Sequence, residues 1–206
     1  MIEQLFATPV YHHTISPNEL KLVSGEIEKA LPNIRQSDLT NPWLDSVKTT
    51  FKYDGTNNDL AKHDLQALQE LVFEHIGVYL EQLKIQSPVE VHLTESWFNF
   101  GGRGAYQSVH SHNTSTLSVV YYHQTNEQDG DICFRSPCAV HICFPLWKLA
   151  KTISTKEAVV YAPQVGKLLI FPSYLLHSVF ENTTEHERIS VAINFKVESK
   201  LEGYEK

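Results

Sequence analysis

Cysteine is scarce in this sequence: three in 206 residues. An odd, small number builds no disulfide framework and points to a reducing, cytoplasmic setting. There is no run of 18 or more apolar residues, so no helix is expected to span a membrane. The opening Met1-Ile2-Glu3-Gln4-Leu5-Phe6 lacks the basic start and apolar stretch of a secretory signal. Positive charge is also short, with 17 Lys and Arg against 24 Asp and Glu for a net −7. A protein that neutralises phosphates needs a basic face, so this balance disfavours a nucleic-acid partner. No repeat, low-complexity tract or linker interrupts the chain, and its length suits one domain over 1–206.

What is present is an ordinary globular share of hydrophobic residues, 42%, together with eleven histidines. Ser16-Pro17 with Glu19 has the form of a capping box. Leu20, Val23, Ile27, Ala30 and Leu31 then recur at helical spacing, with Pro32 expected to end the run. A second, longer helix is expected to start near Asn58 or Asp59. Its stripe is Ala61, Leu65, Leu68, Val72, Ile76, Tyr79 and Leu83, and Ser87-Pro88 closes it. Between the helices, Val47 to Tyr53 reads as a strand. After Pro88 the texture is that of short strands: Val89 to Asn99, Leu117 to His123, Ile132 to Phe134, Ala158 to Tyr161, Lys167 to Phe171, His177 to Phe180 and Arg188 to Val197. Such spacing suggests a sandwich or jelly roll. Residues 1–88 would then be a helical support and 89–198 a β core.

Three pieces of the second half carry chemistry. The first is Val109-His110-Ser111-His112-Asn113. In a strand, residues two apart share a face, so both imidazoles can converge on one ion. The second is Gly166 to Pro172 running into Leu176-His177-Ser178, where a distant strand delivers one more histidine. Three such ligands leave about half of an octahedral shell open. The third is Glu187-Arg188-Ile189-Ser190-Val191-Ala192-Ile193-Asn194-Phe195. By parity Ile189, Val191, Ile193 and Phe195 form an apolar face, and Arg188, Ser190, Ala192 and Asn194 a polar one. Arginine offers a planar fork for a carboxylate, and a serine nearby can donate a further hydrogen bond.

His-x-His, a distant His, then Arg-x-Ser in a strand-rich half resembles the iron(II)/2-oxoglutarate-dependent oxygenase superfamily. More narrowly it is similar to the bacterial and phage group called "putative 2OG-Fe(II) oxygenases". Leu5 to Tyr11, Trp97-Phe98-Asn99, Leu117 to Tyr122 and Ile170-Phe171-Pro172-Ser173 support the likeness, which is strongest from Trp97 to Phe195. The resemblance implies a mainly-β double-stranded β-helix, a jelly-roll or cupin-like barrel with N-terminal α-helices packed on the outside. It implies an oxygenase, a hydroxylase in the usual case, using Fe(II), O2 and 2-oxoglutarate as co-substrate, on a substrate the sequence does not identify. His110 and His177 match the histidine ligands. His112 falls where most of the superfamily has an acidic residue, leaving the centre one unit more positive. Arg188 and Ser190 match the pair that holds the distal carboxylate of 2-oxoglutarate. Asn99 and either Tyr121 or Tyr122 would add contacts, and parity does not choose between the tyrosines. No catalytic side chain is implied beyond the metal centre.

Two other readings use the same residues. Gly104 with His110 and His112, then Gly166, Pro172 and His177, resembles the cupin pattern of a three-histidine metal enzyme. The expected glutamate after the second histidine is absent, Thr116 standing nearby, and Arg188-x-Ser190 would go unexplained. The third is a non-catalytic jelly-roll binding module with incidental histidines. His75 reads as a core or boundary residue and His123 as a candidate pocket residue. Cys133, Cys138 and Cys143 read as small hydrophobes, and Pro145 to Lys156 as a lid.

Overall fold

A computed structural model describes residues 7–42, 47–85, 87–137 and 156–200. Cys138, Cys143 and residues 145–155 of the expected lid lie outside the described residues. The first elements are β1 (Tyr11–Thr14), α1 (Pro17–Gln36), β2 (Lys48–Thr49), α2 (Asp59–Lys62) and α3 (Gln66–Gln82). Then follow β3 (Val89–Gly101), β4 (Gln107–His110), β5 (Leu117–Gln124), β6 (Ile132–Arg135), β7 (Ala158–Tyr161), β8 (Lys167–Pro172), β9 (His177–Val179) and β10 (Arg188–Ser199). No helix among the described residues is long and apolar enough to cross a membrane.

The capping box forms as expected. The Ser16 N–H donates to Glu19 Oε2 at 2.7 Å, and the Glu19 N–H to Ser16 Oγ at 3.3 Å. Pro32 does not end α1, however; it sits inside the helix, which runs on to Gln36. Proline removes one hydrogen bond, but a further turn buries Ile34 completely, and Ser37 closes it by donating its hydroxyl to Ile34 O at 2.6 Å. The expected long helix is broken into α2 and α3. Asp64 takes a left-handed φ of 51°, and the Leu65 N–H reaches back to Leu60 O at 2.9 Å, a helix-ending turn that buries both leucines. α3 then starts without a cap of its own, and Glu26 of α1 accepts from the Ala67 N–H at 2.8 Å instead.

The strands form two antiparallel sheets, ordered β1-β8-β5-β10-β3-β2 and β4-β9-β6-β7. β10 is central, pairing with both β3 and β5. Its alternation decides the layers. Ile189, Val191, Ile193 and Phe195 join α1 and α3 in one core with Phe98, Phe100, Val119 and Ile170. The opposite faces of β5 and β8 turn toward the smaller sheet, where Tyr122, Leu169 and Phe171 pack with Ile132 and Phe134. The helices thus cover one side of the large sheet and leave its other side to form a cavity with the small one. The strand expected over Val47 to Tyr53 shrinks to Lys48–Thr49. Beyond Thr49, side chains take over the backbone's bonds, with the Phe98 N–H on Thr50 Oγ1 at 2.9 Å and the Lys52 N–H on Asn57 Oδ1 at 2.7 Å.

Two histidines are buried away from the cavity. Tyr11 Oη lies 2.8 Å from His75 Nδ1, while His123 donates from Nε2 to Glu28 at 3.0 Å. Burial lowers the pKa of His75, helped by His13 nearby; burial also lowers that of His123, with Glu28 opposing. The unfolded chain releases both to titrate near 6.5. It therefore binds more protons than the native state at mildly acid pH, so their stabilisation is full above about 6.5 and is lost as the pH falls below it. Tm is expected to drop between about pH 7 and pH 5, with a shallower slope in the His75→Gln/His123→Gln double variant. An identical slope in that variant would show that other groups carry the acid sensitivity.

Candidate metal centre

His110 ends β4 and His177 begins β9, and the two residues are register partners across the small sheet. β6 supports them from the other side, with Phe134 opposite His177. No strand carries His112, contrary to expectation, because β4 ends at His110 and His112 opens the following turn. That turn brings it inward all the same: its N–H donates to Ser173 O at 2.8 Å, just after β8, and its carbonyl accepts from the Ser115 N–H at 3.1 Å. The ring centroids are 4.1 Å apart for His110 and His177, 5.1 Å for His110 and His112, and 5.2 Å for His112 and His177. One ligand atom of each lies within 4.8 Å of the others.

The protonation pattern suits a metal. His110 Nδ1 sits 2.8 Å from Ser108 O and His177 Nδ1 2.9 Å from Leu175 O. A carbonyl only accepts, so each Nδ1 carries the proton and each Nε2 keeps its lone pair for an ion. Burial, then the neighbouring His110, pushes His112 down to about 4 and His177 down to about 3. Both are neutral at physiological pH, the form that binds a cation.

Behind the histidines is a cavity of about 40 Å³ between the sheets. The polar face of β10 lines it with Arg188, Ser190, Ala192 and Asn194, as parity led us to expect. Asn99 and Trp97 reach it from β3 and Tyr122 from β5. Tyr121 does not; its ring belongs to the core beneath the helices. The phenol of Tyr122 is pushed up to about 12 by burial, against the pull of Arg188, and stays protonated. His123 also points elsewhere, toward α1.

Arg188 is 4% exposed, and none of the ion pairs among the described residues includes it. Its Nη1 donates to Asp129 O, and to Gly130 O at 3.2 Å. Burial pulls its pKa down while Tyr122 and Asp129 oppose, and a guanidinium remains charged. The Asp129–Gly130 turn that grips it is itself fixed. Gly130 has φ +95°, and a Cβ there would stand 2.2 Å from Phe180 O and 2.9 Å from Arg188 Nη1. The Asp129 carboxylate accepts from the Asn126 N–H at 2.7 Å, Thr184 at 2.8 Å and His186 Nδ1 at 2.7 Å. Burial alone would raise its pKa, but these bonds outweigh that and hold it low.

Sequence reading missed this grip. The Asp129-Gly130 dipeptide is a turn signal, but its use as a clamp depends on β10 lying beside it. It also missed the buried chain of Ser173, Ser118 and Asn194 along the cavity wall. There the two hydroxyls are 2.9 Å apart, and Ser118 donates to Asn194 Oδ1 at 2.8 Å. Asn194 was legible by parity alone.

Residues 95–194, which contain the three histidines and Arg188, match the family described as "Putative 2OG-Fe(II) oxygenase". No curated protein sequence matches the chain. Among solved structures it resembles a 2OG-Fe(II) oxygenase family oxidoreductase from Burkholderia pseudomallei, with TM-score 0.62 and 12% identity over 91% of this chain and 84% of that one. It also resembles a prolyl-4-hydroxylase from Pseudomonas putida, with TM-score 0.58 and 15% identity over 94% and 95% of the two chains. A third is HygX from Streptomyces hygroscopicus, solved with nickel and 2-oxoglutarate, with TM-score 0.56 and 13% identity over 92% and 83%. At such identities the likeness establishes a shared fold, the double-stranded β-helix with few helices.

Proposed function

We propose that the chain is a working iron(II)- and 2-oxoglutarate-dependent hydroxylase, a reading supported by the match of residues 95–194 to the family described as "Putative 2OG-Fe(II) oxygenase". His110, His112 and His177 hold the metal, and Arg188 with Ser190 holds the co-substrate. One observation carries this reading: three imidazoles meet in one cavity beside a buried guanidinium whose hydrogen-bond partners among the described residues are two carbonyl oxygens. A buried cation with no direct ion pair is costly, so the cavity suits a ligand that brings a carboxylate. Fe(II), when bound with 2-oxoglutarate and O2, supplies oxidative decarboxylation of the oxo acid to succinate and CO2, coupled to hydroxylation of a C–H bond.

The chain's own share is orientation. The Ser108 and Leu175 carbonyls fix two ring tautomers, and the Ser173 carbonyl fixes the backbone of His112. The Asp129–Gly130 turn occupies one side of the guanidinium, leaving the rest to form parallel hydrogen bonds with the distal carboxylate of 2-oxoglutarate. Tyr122, protonated, can donate to the same group, and Asn99 can do so through its amide. Phe171 and Ile132 line the cavity and keep water away. A third imidazole in place of a carboxylate leaves the site with the full charge of the metal, which the dianion of 2-oxoglutarate offsets. The cupin reading shares the metal but gives Arg188 nothing to hold, and a binding module needs neither.

The 206 residues would form one domain working in the reducing cytoplasm, in keeping with the free, buried thiol of Cys133. A net −7 makes a nucleic acid a poor partner. Anaerobic addition of Fe(II) and 2-oxoglutarate is expected to raise a weak visible charge-transfer band, and admission of O2 to release succinate. Metal binding without the band would return the cupin reading.

A further inference from the structure

His112 is held differently from the other two histidines. His110 and His177 sit on paired strands, and each ring is tied through Nδ1 to a carbonyl, Ser108 O at 2.8 Å and Leu175 O at 2.9 Å. Among the described residues no hydrogen bond reaches the ring of His112. Where that ring stands is decided by its backbone, and the backbone is decided by Ser173. This residue follows β8, is fully buried, and grips the β4–β5 loop at three points. Its carbonyl accepts from the His112 N–H at 2.8 Å, and its N–H donates to Thr116 O at 3.0 Å. Its hydroxyl lies 2.9 Å from Ser118 Oγ.

The hydroxyls run in one direction, and their far end sets it. Asn194 Nδ2 faces Glu95 Oε2 at 3.5 Å, and Glu95 is itself held by Asn57, whose Nδ2 donates to Oε1 at 3.0 Å. Turning the Asn194 amide over would set its oxygen against that carboxylate, so the oxygen faces Ser118. An amide oxygen only accepts, and Ser118 donates to it at 2.8 Å. With its one proton used, Ser118 accepts from the Ser173 hydroxyl. The order is therefore Ser173 to Ser118 to Asn194, across β8, β5 and β10. All three residues are buried, so a broken link leaves a polar group without a replacement partner.

We infer that Ser118 and Asn194 are positioning residues for the metal. The chain they complete fixes Ser173, and Ser173 fixes how far His112 advances toward the ion. The inference rests on the reading that His110, His112 and His177 hold the iron. Strand pairing places His110 and His177, whereas the third imidazole depends on this chain. Groups one step behind a metal ligand orient it and set its affinity. Cutting the chain keeps all three histidines in the sequence and withdraws one from coordination.

The test is Co(II) titration followed by visible absorption, since the ligand-field bands of Co(II) report the number and arrangement of its ligands. It is run without 2-oxoglutarate, because Ser118 and Asn194 also line the cavity and a direct contact with the co-substrate must not enter. Ser118→Ala is expected to weaken Co(II) about ten-fold, as loss of an outer partner does, and to move the bands to those of His112→Ala. Ser118→Thr keeps the hydroxyl and is expected to keep the wild-type bands. Ile27→Val, at a fully buried position of α1, costs about as much stability as one hydrogen bond. Both it and Ser118→Ala are expected to lower Tm by about 2–4 °C, but Ile27→Val is expected to leave the bands unchanged and Co(II) affinity within about two-fold of wild type. Wild-type bands in Ser118→Ala, with shifted bands in His112→Ala, overturn the inference and spare the metal centre. Bands that shift as far in Ile27→Val as in Ser118→Ala also overturn it, because lost stability alone would then account for the change. Wild-type bands and affinity in His112→Ala overturn both, since His112 would be no ligand.

Discussion

Arg188→Met is expected to weaken 2-oxoglutarate binding by about 30-fold or more while Fe(II) still binds. The figure follows from the roughly 2–5 kcal/mol lost when one partner of a buried, hydrogen-bonded charge pair is truncated. In the free protein the guanidinium is 4% exposed, and among the described residues it donates to the Asp129 and Gly130 carbonyls. These orient it without neutralising it. A ligand carboxylate supplies both the missing charge and the second set of hydrogen bonds. Arg188→Lys keeps the charge but loses the planar fork, so it is expected to fall between wild type and methionine. Thermal unfolding gives an independent readout. At about 100 times Kd, 2-oxoglutarate stabilises the wild type by roughly 2.7 kcal/mol, and the same concentration is expected to stabilise Arg188→Met by no more than about 0.9 kcal/mol. Equal stabilisation of both proteins would remove Arg188 from its assigned place.

Loss of His177 is expected to be as severe for the metal. His177→Ala leaves two of three imidazoles, and changes one step further out, at groups that only orient a ligand, already cost about 10–100-fold in affinity. The direct loss is expected to exceed about 100-fold. His177 is the most enclosed of the three and is tied to Leu175 O through Nδ1, so its lone pair is aimed before any ion arrives. His123→Ala is the control. It removes an equally buried histidine that bonds Glu28 on α1 instead, and Fe(II) content after equilibrium dialysis is expected to match wild type. Restoring an acidic ligand with His112→Asp is expected to keep iron bound and shift the site toward oxygen-preferring metals. Retention of Fe(II) by His177→Ala would break the proposed centre.

Much of this site was legible before the fold. The alternation of β10 put Arg188 and Ser190 on one face and Ile189 to Phe195 on the other, because a strand embedded in a sheet has a period of two. His177 was found from its place after a strand and a Pro-Ser turn. Where the reading went astray, local signals lost to packing. Pro32 was outweighed by the burial of Ile34, and the stripe from Ala61 to Leu83 hid a left-handed turn at Asp64. His112 reached the site for a different reason than expected: a turn bonded to Ser173, with no strand to carry it.

The sequence by itself determined the chemistry on offer: which side chains can bind metal or carboxylate, and which face of each strand is apolar. Those properties are local, set by residue type and backbone period. Only the tertiary structure decided between Tyr122 and Tyr121, since the choice depends on which side of β5 meets the small sheet. It alone supplied the Asp129–Gly130 grip on Arg188 and the chain of hydroxyls behind His112. Each arises from strands distant in sequence, and no pattern along one strand records what its neighbour brings.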